Sequence, residues 1–221
     1  MTTEQEQQTD SKATAEQKEA VRADHAEHRR WLAQHGIVEA ARPMGEEKFT
    51  GLVLAALLDD LETGDCVLAA LLAGLPSRPA ATLVPAAAYG PSRGVDLVVP
   101  MECNGAVELL IAELKRFGSP SHAPGYKTDP QAAWQTDQAY EAATGIRPAP
   151  SWLYDDLVGY PKKTFLVVDT YGRPMDQTFY DGQHNQEWGV TSYAQFGAVL
   201  RAGYERGIRG LVPLLRALYI G

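Results

Sequence analysis

An apolar stretch at residues 93–116, RGVDLVVPMECNGAVELLIAELKR, carries charged residues that could do chemistry together. Asp96 interrupts the first apolar run, and the second run ends in Glu113-Leu114-Lys115. Alternate residues of a strand share a face, so Glu113 and Lys115 are expected to point the same way. Charges at the end of a buried strand are costly unless they are paired, bound to a ligand or solvated. Two carboxylates followed by an amine suit a divalent metal ion and a reacting phosphate, whereas the alternative is an ordinary ion pair at the strand ends.

A β-hairpin is the element that would bring these side chains together. The sequence predicts strands at 94–100 and 106–115, joined by Asn104-Gly105, because both turn residues tolerate positive φ. A Glu-x-Lys tripeptide by itself is weak evidence for a site. An Asp inside a Val-rich strand, followed after a tight turn by a Leu/Ile-rich strand that ends in Glu-x-Lys, is a more specific pattern.

This combination of an Asp, a hairpin and a Glu-x-Lys strand end resembles the core of the PD-(D/E)xK nuclease superfamily. The resemblance implies an α/β, restriction-endonuclease-like fold with an αβββαβ core, in which helices flank a mixed central sheet, and extra helices are expected at both termini. It also implies that Asp96 and Glu113 bind Mg²⁺ or Mn²⁺ and that Lys115 orients or activates the attacking water. The sequence departs from the family pattern at Val95, where the motif usually has proline.

The helix predicted from Gly45, GEEKFTGLVLAALLDDLETG, is expected to carry one more metal ligand. Members of the superfamily often have a Glu in the first core helix that adds to the metal site, and the matching residue is Glu47. Glu47 shares a helical face with Leu54 and Leu58, which should direct it towards the sheet. Glu46 is the alternative, and the helix dipole alone could explain an acid at either position.

The helix predicted at 130–145, PQAAWQTDQAYEAATG, supplies the last expected site residue. In the superfamily this helix often carries a Gln with a Tyr one turn later, and Gln135 with Tyr140 resembles that pair at a spacing one residue longer. Gln138 is a substitute, and either amide could bond a phosphate or a water. The expected catalytic residues are thus Asp96, Glu113, Lys115 and Gln135, and the expected metal ligands are Asp96, Glu113 and Glu47.

The composition along the chain predicts a tail, a helical extension and one nuclease-like domain. Residues 1–14 are polar and expected to be disordered, whereas 15–44 should form an N-terminal helical extension. Residues 45–221 are expected to fold as a single domain, because their length and apolar content suffice for one core.

Outside the hairpin, the pattern predicts several more elements of that domain. A short helix is expected at 65–73, and strands are expected at 81–89 and 163–170. Thr191-Ser192 is typical of the cap of a final helix. Asp169, near the end of the last predicted strand, is expected to form an ion pair or a turn rather than to act in catalysis.

Three histidines in the first predicted helix could be interpreted as a metal site. His25, His28 and His35 have nearly helical spacing, but no neighbouring pattern such as His-Glu-x-x-His accompanies them. Surface positions are therefore expected for all three. Cys66 and Cys103 likewise lack the spacing of a zinc site or of a disulfide framework, which predicts reduced thiols.

Charge and hydropathy limit the classes of partner. A net charge of −8 argues against a large non-specific DNA-binding surface, but it does not exclude a nuclease whose metal site is itself acidic. No secretory signal is expected, because the N-terminal residues are rich in Gln, Glu and Thr, and no apolar run is long enough to span a membrane. A cytoplasmic protein without a membrane partner is therefore expected.

The resemblance implies a metal-dependent nuclease that hydrolyses phosphodiester bonds, with DNA expected as substrate ahead of RNA. Restriction, phage defence and repair are the settings in which such proteins commonly act, and a homodimer is common where both strands are cut. The first alternative is a catalytically silent nuclease-fold module for binding or assembly, which the acidic charge allows. The second is an unrelated α/β protein whose strand-end charges are merely paired.

Overall fold

The computed structural model describes the residues in several segments of the chain. The N-terminal tail, Glu46, Gln135 and Gln138 lie outside these segments, as do the side chains of Glu47 and Lys115. The described residues are 15–38, 47–75, 80–84, 96–115, 140–141, 143–145, 159–170 and 188–218.

Among the described residues three helices come first and three strands follow, and after a few helical residues the chain adds two further strands and two helices. The helices are α1 (Ala15–Gln34), α2 (Glu47–Leu58), α3 (Leu61–Leu71), α4 (Tyr193–Glu205) and α5 (Val212–Ala217). The strands are β1 (Ala81–Leu83), β2 (Leu97–Cys103), β3 (Ala106–Lys115), β4 (Lys163–Asp169) and β5 (Trp188–Thr191).

The strands form one mixed sheet in the order β1-β2-β3-β4-β5. The first three strands are antiparallel neighbours, β4 runs parallel to β3, and β5 runs parallel to β4. Parallel strands need a crossover between them, and residues 140, 141, 143 and 144, which are helical, fall in the connection from β3 to β4. The α/β class with a mixed sheet flanked by helices is confirmed.

Both faces of the central strands are buried, and each face packs against different helices. Alternate residues of a strand point to opposite faces, so Leu110 and Ala112 face a larger core while Leu109 and Ile111 face a smaller one. Helices α1 to α5 cover the larger core, and Tyr140 and Ala143 pack against the smaller one. The larger core includes Leu54, Leu58, Val67, Leu71, Leu97, Val99, Leu166, Val168, Phe196, Leu200 and Leu214.

The predicted hairpin between β2 and β3 is confirmed. Asn104 and Gly105 adopt φ angles of 53° and 76°, and the strands on either side begin to pair at Cys103 and Ala106. Two consecutive residues with positive φ match the right-handed twist of the strands they join. The turn therefore sets the register that carries through the strand pair to the charged end of β3.

The helix predicted to end at Gly64 is in fact two helices, and the break lies before Gly64. Asp60 begins α3 as its N-cap, because its side chain accepts a hydrogen bond of 2.8 Å from the amide of Thr63. Gly64 lies inside α3, where a Cβ would stand 2.5 Å from Leu83 Cδ2. The glycine therefore permits close packing between the helix and β1 rather than ending a helix.

Near the C-terminus, the cap of α4 was predicted from the sequence and strand β5 was not. Ser192 caps α4 in a capping box with Gln195, as predicted from the residue types. Strand β5 was not predicted. It is anchored from another element, since the Thr191 hydroxyl donates to the Leu71 carbonyl and accepts from the Gly74 amide at 3.1 Å.

The prediction of three surface histidines is wrong for two of them. His25 and His28 are 6% and 0% exposed, and only His35 is exposed. His28 Nε2 lies 3.0 Å from the carbonyl oxygen of Leu215, and its Nδ1 lies 3.4 Å from Arg201 Nη1. A carbonyl can only accept, so Nε2 carries the proton and Nδ1 accepts from the guanidinium. The histidines therefore belong to the surface by which α1 packs on the C-terminal helices.

Candidate functional site

Asp96 and Glu113, the two predicted acids of the hairpin, lie next to each other at the end of β2 and β3. The antiparallel register pairs Leu97 with Ala112, so Asp96 and Glu113 are the next residues outward on the two chains. The amide of Leu114 donates a 2.9 Å hydrogen bond to Asp96 Oδ2. The Asp96 side chain thus takes the place of a backbone acceptor just beyond the end of β2, and this bond orients its carboxylate beside the Glu113-Leu114 peptide.

Glu113 is buried, which strengthens the electrostatic interactions of its carboxylate. The residue is 4% exposed, and it shares a sheet face with Leu109 and Ile111, which belong to the smaller apolar core. A carboxylate removed from water interacts more strongly with nearby charges and donors than a solvated one does. Burial at this position is costly without such partners, which sets Glu113 apart from an ordinary surface acid.

Glu108, at the other end of the same strand, serves a different purpose. Its carboxylate forms an ion pair with Lys162 at 3.3 Å, and that lysine is largely exposed. Five residues separate Glu108 from Glu113, which corresponds to about 17 Å along an extended strand. Glu108 is therefore paired with an exposed lysine at the start of β3 and does not contribute to the candidate site.

Lys115 ends β3, and its register partner on β4 is Asp169. Asp169 is the last residue of β4 and is 3% exposed. Glu113 pairs in register with Val167, two residues before Asp169, so both acids lie on one face of the sheet. The parallel register therefore adds a second buried acid to this end of the sheet, one for which the sequence predicted only an ion pair or a turn.

The remaining predicted site residues lie partly or wholly outside the described atoms. Glu47 is the first residue of α2, and the leucines of that helix, Leu54 and Leu58, pack in the larger core. Gln135 and its substitute Gln138 are outside the described residues, but Tyr140 packs against Phe165 at 4.7 Å between ring centroids. Tyr140 and Ala143 thus lie over the sheet face that carries Glu113.

The donor chemistry of Asp96 and Glu113 fits a hard divalent ion. Mg²⁺ prefers carboxylate oxygens and is commonly held by one or two of them, because it keeps several of its waters. Among the described side chains, no group of three or more His, Cys, Asp or Glu residues is arranged to hold a metal. Two carboxylates from the described residues are therefore the ligand set that this site offers, with Glu47 as the predicted addition.

Two basic residues at the start of β4 lie far from the acids. Burial lowers the pKa of Lys163, whose ammonium donates to the carbonyl of Tyr160. Lys162 is engaged with Glu108. Because β4 runs from this end to Asp169, both lysines lie at the opposite end of the sheet from Asp96, Glu113 and Asp169.

The chain matches no protein-family model, no curated protein and no solved structure. None of the helices in the described segments is both long and apolar enough to cross a bilayer. An assignment of function therefore depends on the geometry of the hairpin and on the chemistry of its side chains.

Proposed function

We propose that this chain is a metal-dependent nuclease of the PD-(D/E)xK kind, which hydrolyses phosphodiester bonds in nucleic acid. The observation that carries the proposal is the hydrogen bond between the Leu114 amide and Asp96 Oδ2. It holds an Asp at the end of one strand against the Glu-x-Lys segment of the next, the juxtaposition that the superfamily's chemistry requires. The order of elements also supports the proposal. Helices α2 and α3 precede β1, β2 and β3, and a few helical residues then lead to β4, which agrees with an αβββαβ order.

In this proposal Asp96 and Glu113 hold Mg²⁺ or Mn²⁺, and Glu47 adds a ligand directly or through water. The ion would polarise the scissile phosphate and lower the pKa of the attacking water. The Leu114 amide keeps the Asp96 carboxylate in one orientation, so that carboxylate does not have to reorganise when substrate arrives. The burial of Glu113 strengthens its interaction with any cation bound there.

Lys115 and Gln135 are the residues proposed to act on the reacting groups. The Lys115 ammonium would orient the attacking water and stabilise the negative charge that develops on the phosphate oxygens. The Gln135 amide would donate to the phosphate or to that water. DNA is the proposed substrate ahead of RNA, and the proposed setting is restriction, phage defence or repair in the cytoplasm, with a homodimer where both strands are cut.

Cleavage of a mixed panel of DNA and RNA in Mg²⁺ or Mn²⁺ tests this proposal. Wild type is compared with Glu113→Gln and Lys115→Ala, and Glu108→Gln is the matched control because it changes an acid of the same strand at the opposite end. We expect cleavage to need the metal, to fall by at least about a hundredfold in both site variants, and to be unchanged in the control.

Activity that survives in Glu113→Gln would mean that another site or a contaminant is responsible. Absence of cleavage on every substrate, together with metal binding that is lost in Asp96→Ala, would instead favour the catalytically silent binding module. Absence of both cleavage and metal binding would favour an α/β protein whose strand-end charges are only paired.

A further inference from the structure

Asp169 brings a buried carboxylate to the edge of the sheet where Lys115 ends β3. The parallel register makes the two residues direct partners, and Asp169 is 3% exposed. Partners on neighbouring strands are about 4.8 Å apart and project from the same face of the sheet. The Cα atoms of Lys115 and Asp169 are therefore neighbours on adjacent strands, two residues beyond the pair formed by Glu113 and Val167.

The burial of Asp169 decides what kind of partner it requires. A carboxylate taken out of water is tolerated when a cation or several donors lie close to it. Tyr193 is near enough to sense the charge of Asp169, but burial is the main cause that raises the pKa of its phenol. A phenol that stays protonated can donate one hydrogen bond but cannot neutralise a charge. Arg201 and Arg29 also act on Tyr193, but Lys115 is the basic residue that the register places directly beside Asp169.

We propose that Asp169 is a positioning residue that holds the Lys115 ammonium on the Glu113 face of the sheet, beside Asp96. This inference rests on the proposed function, in which Lys115 acts on the attacking water. A lysine has a flexible four-carbon stem, so an ammonium without a fixed partner would sample many positions. Pairing with Asp169 selects the one position that is useful for the reaction, and Asp169 itself touches neither the metal nor the substrate.

A double-mutant cycle in urea unfolding tests the pair without reference to activity. Lys115→Met leaves the buried carboxylate without its cation, so we expect a large increase in the unfolding constant. Adding Asp169→Asn removes the uncompensated charge and should restore most of the loss. The coupling between the two changes should be at least about tenfold in the unfolding constant.

The pair of Glu108 and Lys162, whose lysine is solvent-exposed, is the matched control for this cycle. It also joins β3 to the chain at the start of β4, with 3.3 Å between its charged atoms, but Lys162 is 62% exposed. Solvent screens an ion pair whose lysine is exposed, so the cycle of Glu108→Gln with Lys162→Met should give a coupling below about threefold. If Lys115→Met does not fold, the double variant decides the matter: recovery of folding supports the pair, and failure overturns it.

Cleavage kinetics in Mn²⁺ then test the positioning role. Asp169→Asn should lower kcat about tenfold, leave KM within about twofold, and cause no further loss in the Lys115→Met background. The Kd for Mn²⁺ should also stay within about twofold, whereas Glu113→Gln should weaken it strongly. An Asp169→Asn variant that loses Mn²⁺ as Glu113→Gln does would make Asp169 a metal ligand and overturn the inference.

Two further outcomes separate this inference from the proposed function. Additive effects of the two changes on unfolding would show that the partner of Asp169 is not Lys115, whatever the activity of the wild type. Unchanged cleavage in Glu113→Gln would overturn the proposed function, and with it the role in positioning, even if the unfolding cycle shows that the pair exists.

Discussion

The hydrogen bond from the Leu114 amide to Asp96 Oδ2 is the contact on which the proposed site depends most. It uses one carboxylate oxygen to continue the ladder between β2 and β3 past the last backbone pair. The same side chain is proposed to bind a divalent ion. Structural and ligand roles can be separated at this residue, because an amide oxygen accepts a hydrogen bond as a carboxylate does but lacks the charge that Mg²⁺ prefers.

The first prediction therefore concerns Asp96→Asn. We expect the Asn oxygen to keep the bond to Leu114, so that the melting temperature changes by less than about 3 °C. The affinity for Mn²⁺ should fall at least about tenfold in a calorimetric titration, because one anionic ligand is lost. Asp59→Asn, which changes an exposed acid, is the control. Unchanged Mn²⁺ affinity in Asp96→Asn would exclude Asp96 as a ligand.

The residues of the candidate site were predictable from sequence only where local spacing determines their positions. Asp96 and Glu113 meet because a two-residue turn joins their strands, and both the turn and the alternation are visible in the residue types. The position of Asp169 opposite Lys115 was not predictable, because it depends on the register between strands that are distant in sequence. No short turn sets the register of a parallel pair, so burial of the assembled face has to select it.

Strand β5 shows how single hydrogen bonds can fix an element that lacks a clear sequence pattern. Thr191 is fully buried, and its hydroxyl joins the end of α3 to the turn that follows, through the Leu71 carbonyl and the Gly74 amide. A Cβ on Gly74 would stand 1.9 Å from the Val190 carbonyl oxygen, so backbone meets backbone here. The strand therefore depends on contacts from residues about 120 positions earlier.

The second prediction is that Thr191→Val destabilises the protein although it preserves shape and volume. The change leaves the buried Leu71 carbonyl and the partly buried Gly74 amide without their shared partner, and loss of a partner at a buried group costs about 1–3 kcal/mol. Thr191→Ser, which keeps the hydroxyl, should lose less. Urea unfolding of the three proteins measures the difference. Equal stability of the Val and Ser variants would mean that the hydroxyl does not anchor β5.

The third prediction concerns the packing of α1 and its dependence on pH. Burial lowers the pKa of His28 to about 4, and the hydrogen bond to the Leu215 carbonyl is the largest opposing influence. The guanidinium of Arg201 and the ring of His25 lower this pKa further, whereas Glu27 raises it slightly. The folded state thus binds a proton less readily than the unfolded chain, whose histidine has a pKa of about 6.5. The stability that neutral His28 contributes is complete above pH 6.5 and is lost as the pH falls towards 4, by up to about 3 kcal/mol.

Unfolding at pH 7 and pH 5 measures this loss. Wild type should lose about 2 kcal/mol more than His28→Gln between these two pH values, because the glutamine has no proton to gain. His35→Gln changes an exposed histidine of the same helix and should behave as wild type does. Equal slopes in wild type and His28→Gln would show that another group governs acid unfolding.

On the scale of the whole molecule, most elements could be predicted locally, with β5 and the break between α2 and α3 as exceptions, but the assembly of the elements could not. Helix and strand periods, the hairpin turn and the Ser192 cap all act over a few residues, and they were predicted. The packing of α1 depends instead on bonds such as that from Trp31 Nε1 to Glu205 Oε1, which joins residues 174 positions apart. That packing is also why two histidines expected at the surface are buried: the partner surface becomes visible only in the assembled fold.

The fourth prediction follows from the acidity of the molecule as a whole. A chain with a net charge of −8 repels a phosphate backbone, so nucleic-acid binding should depend on a cation at the site rather than on a general basic surface. We expect 5 mM Ca²⁺, about the concentration that would fill a weak carboxylate site, to raise the affinity for a fluorescent DNA duplex at least about tenfold in wild type. Glu113→Gln should show no such gain, and Glu108→Gln should respond as wild type does.

Tight binding without any divalent ion would point to a basic surface elsewhere in the chain, and the catalytically silent module would then become the better account of this protein.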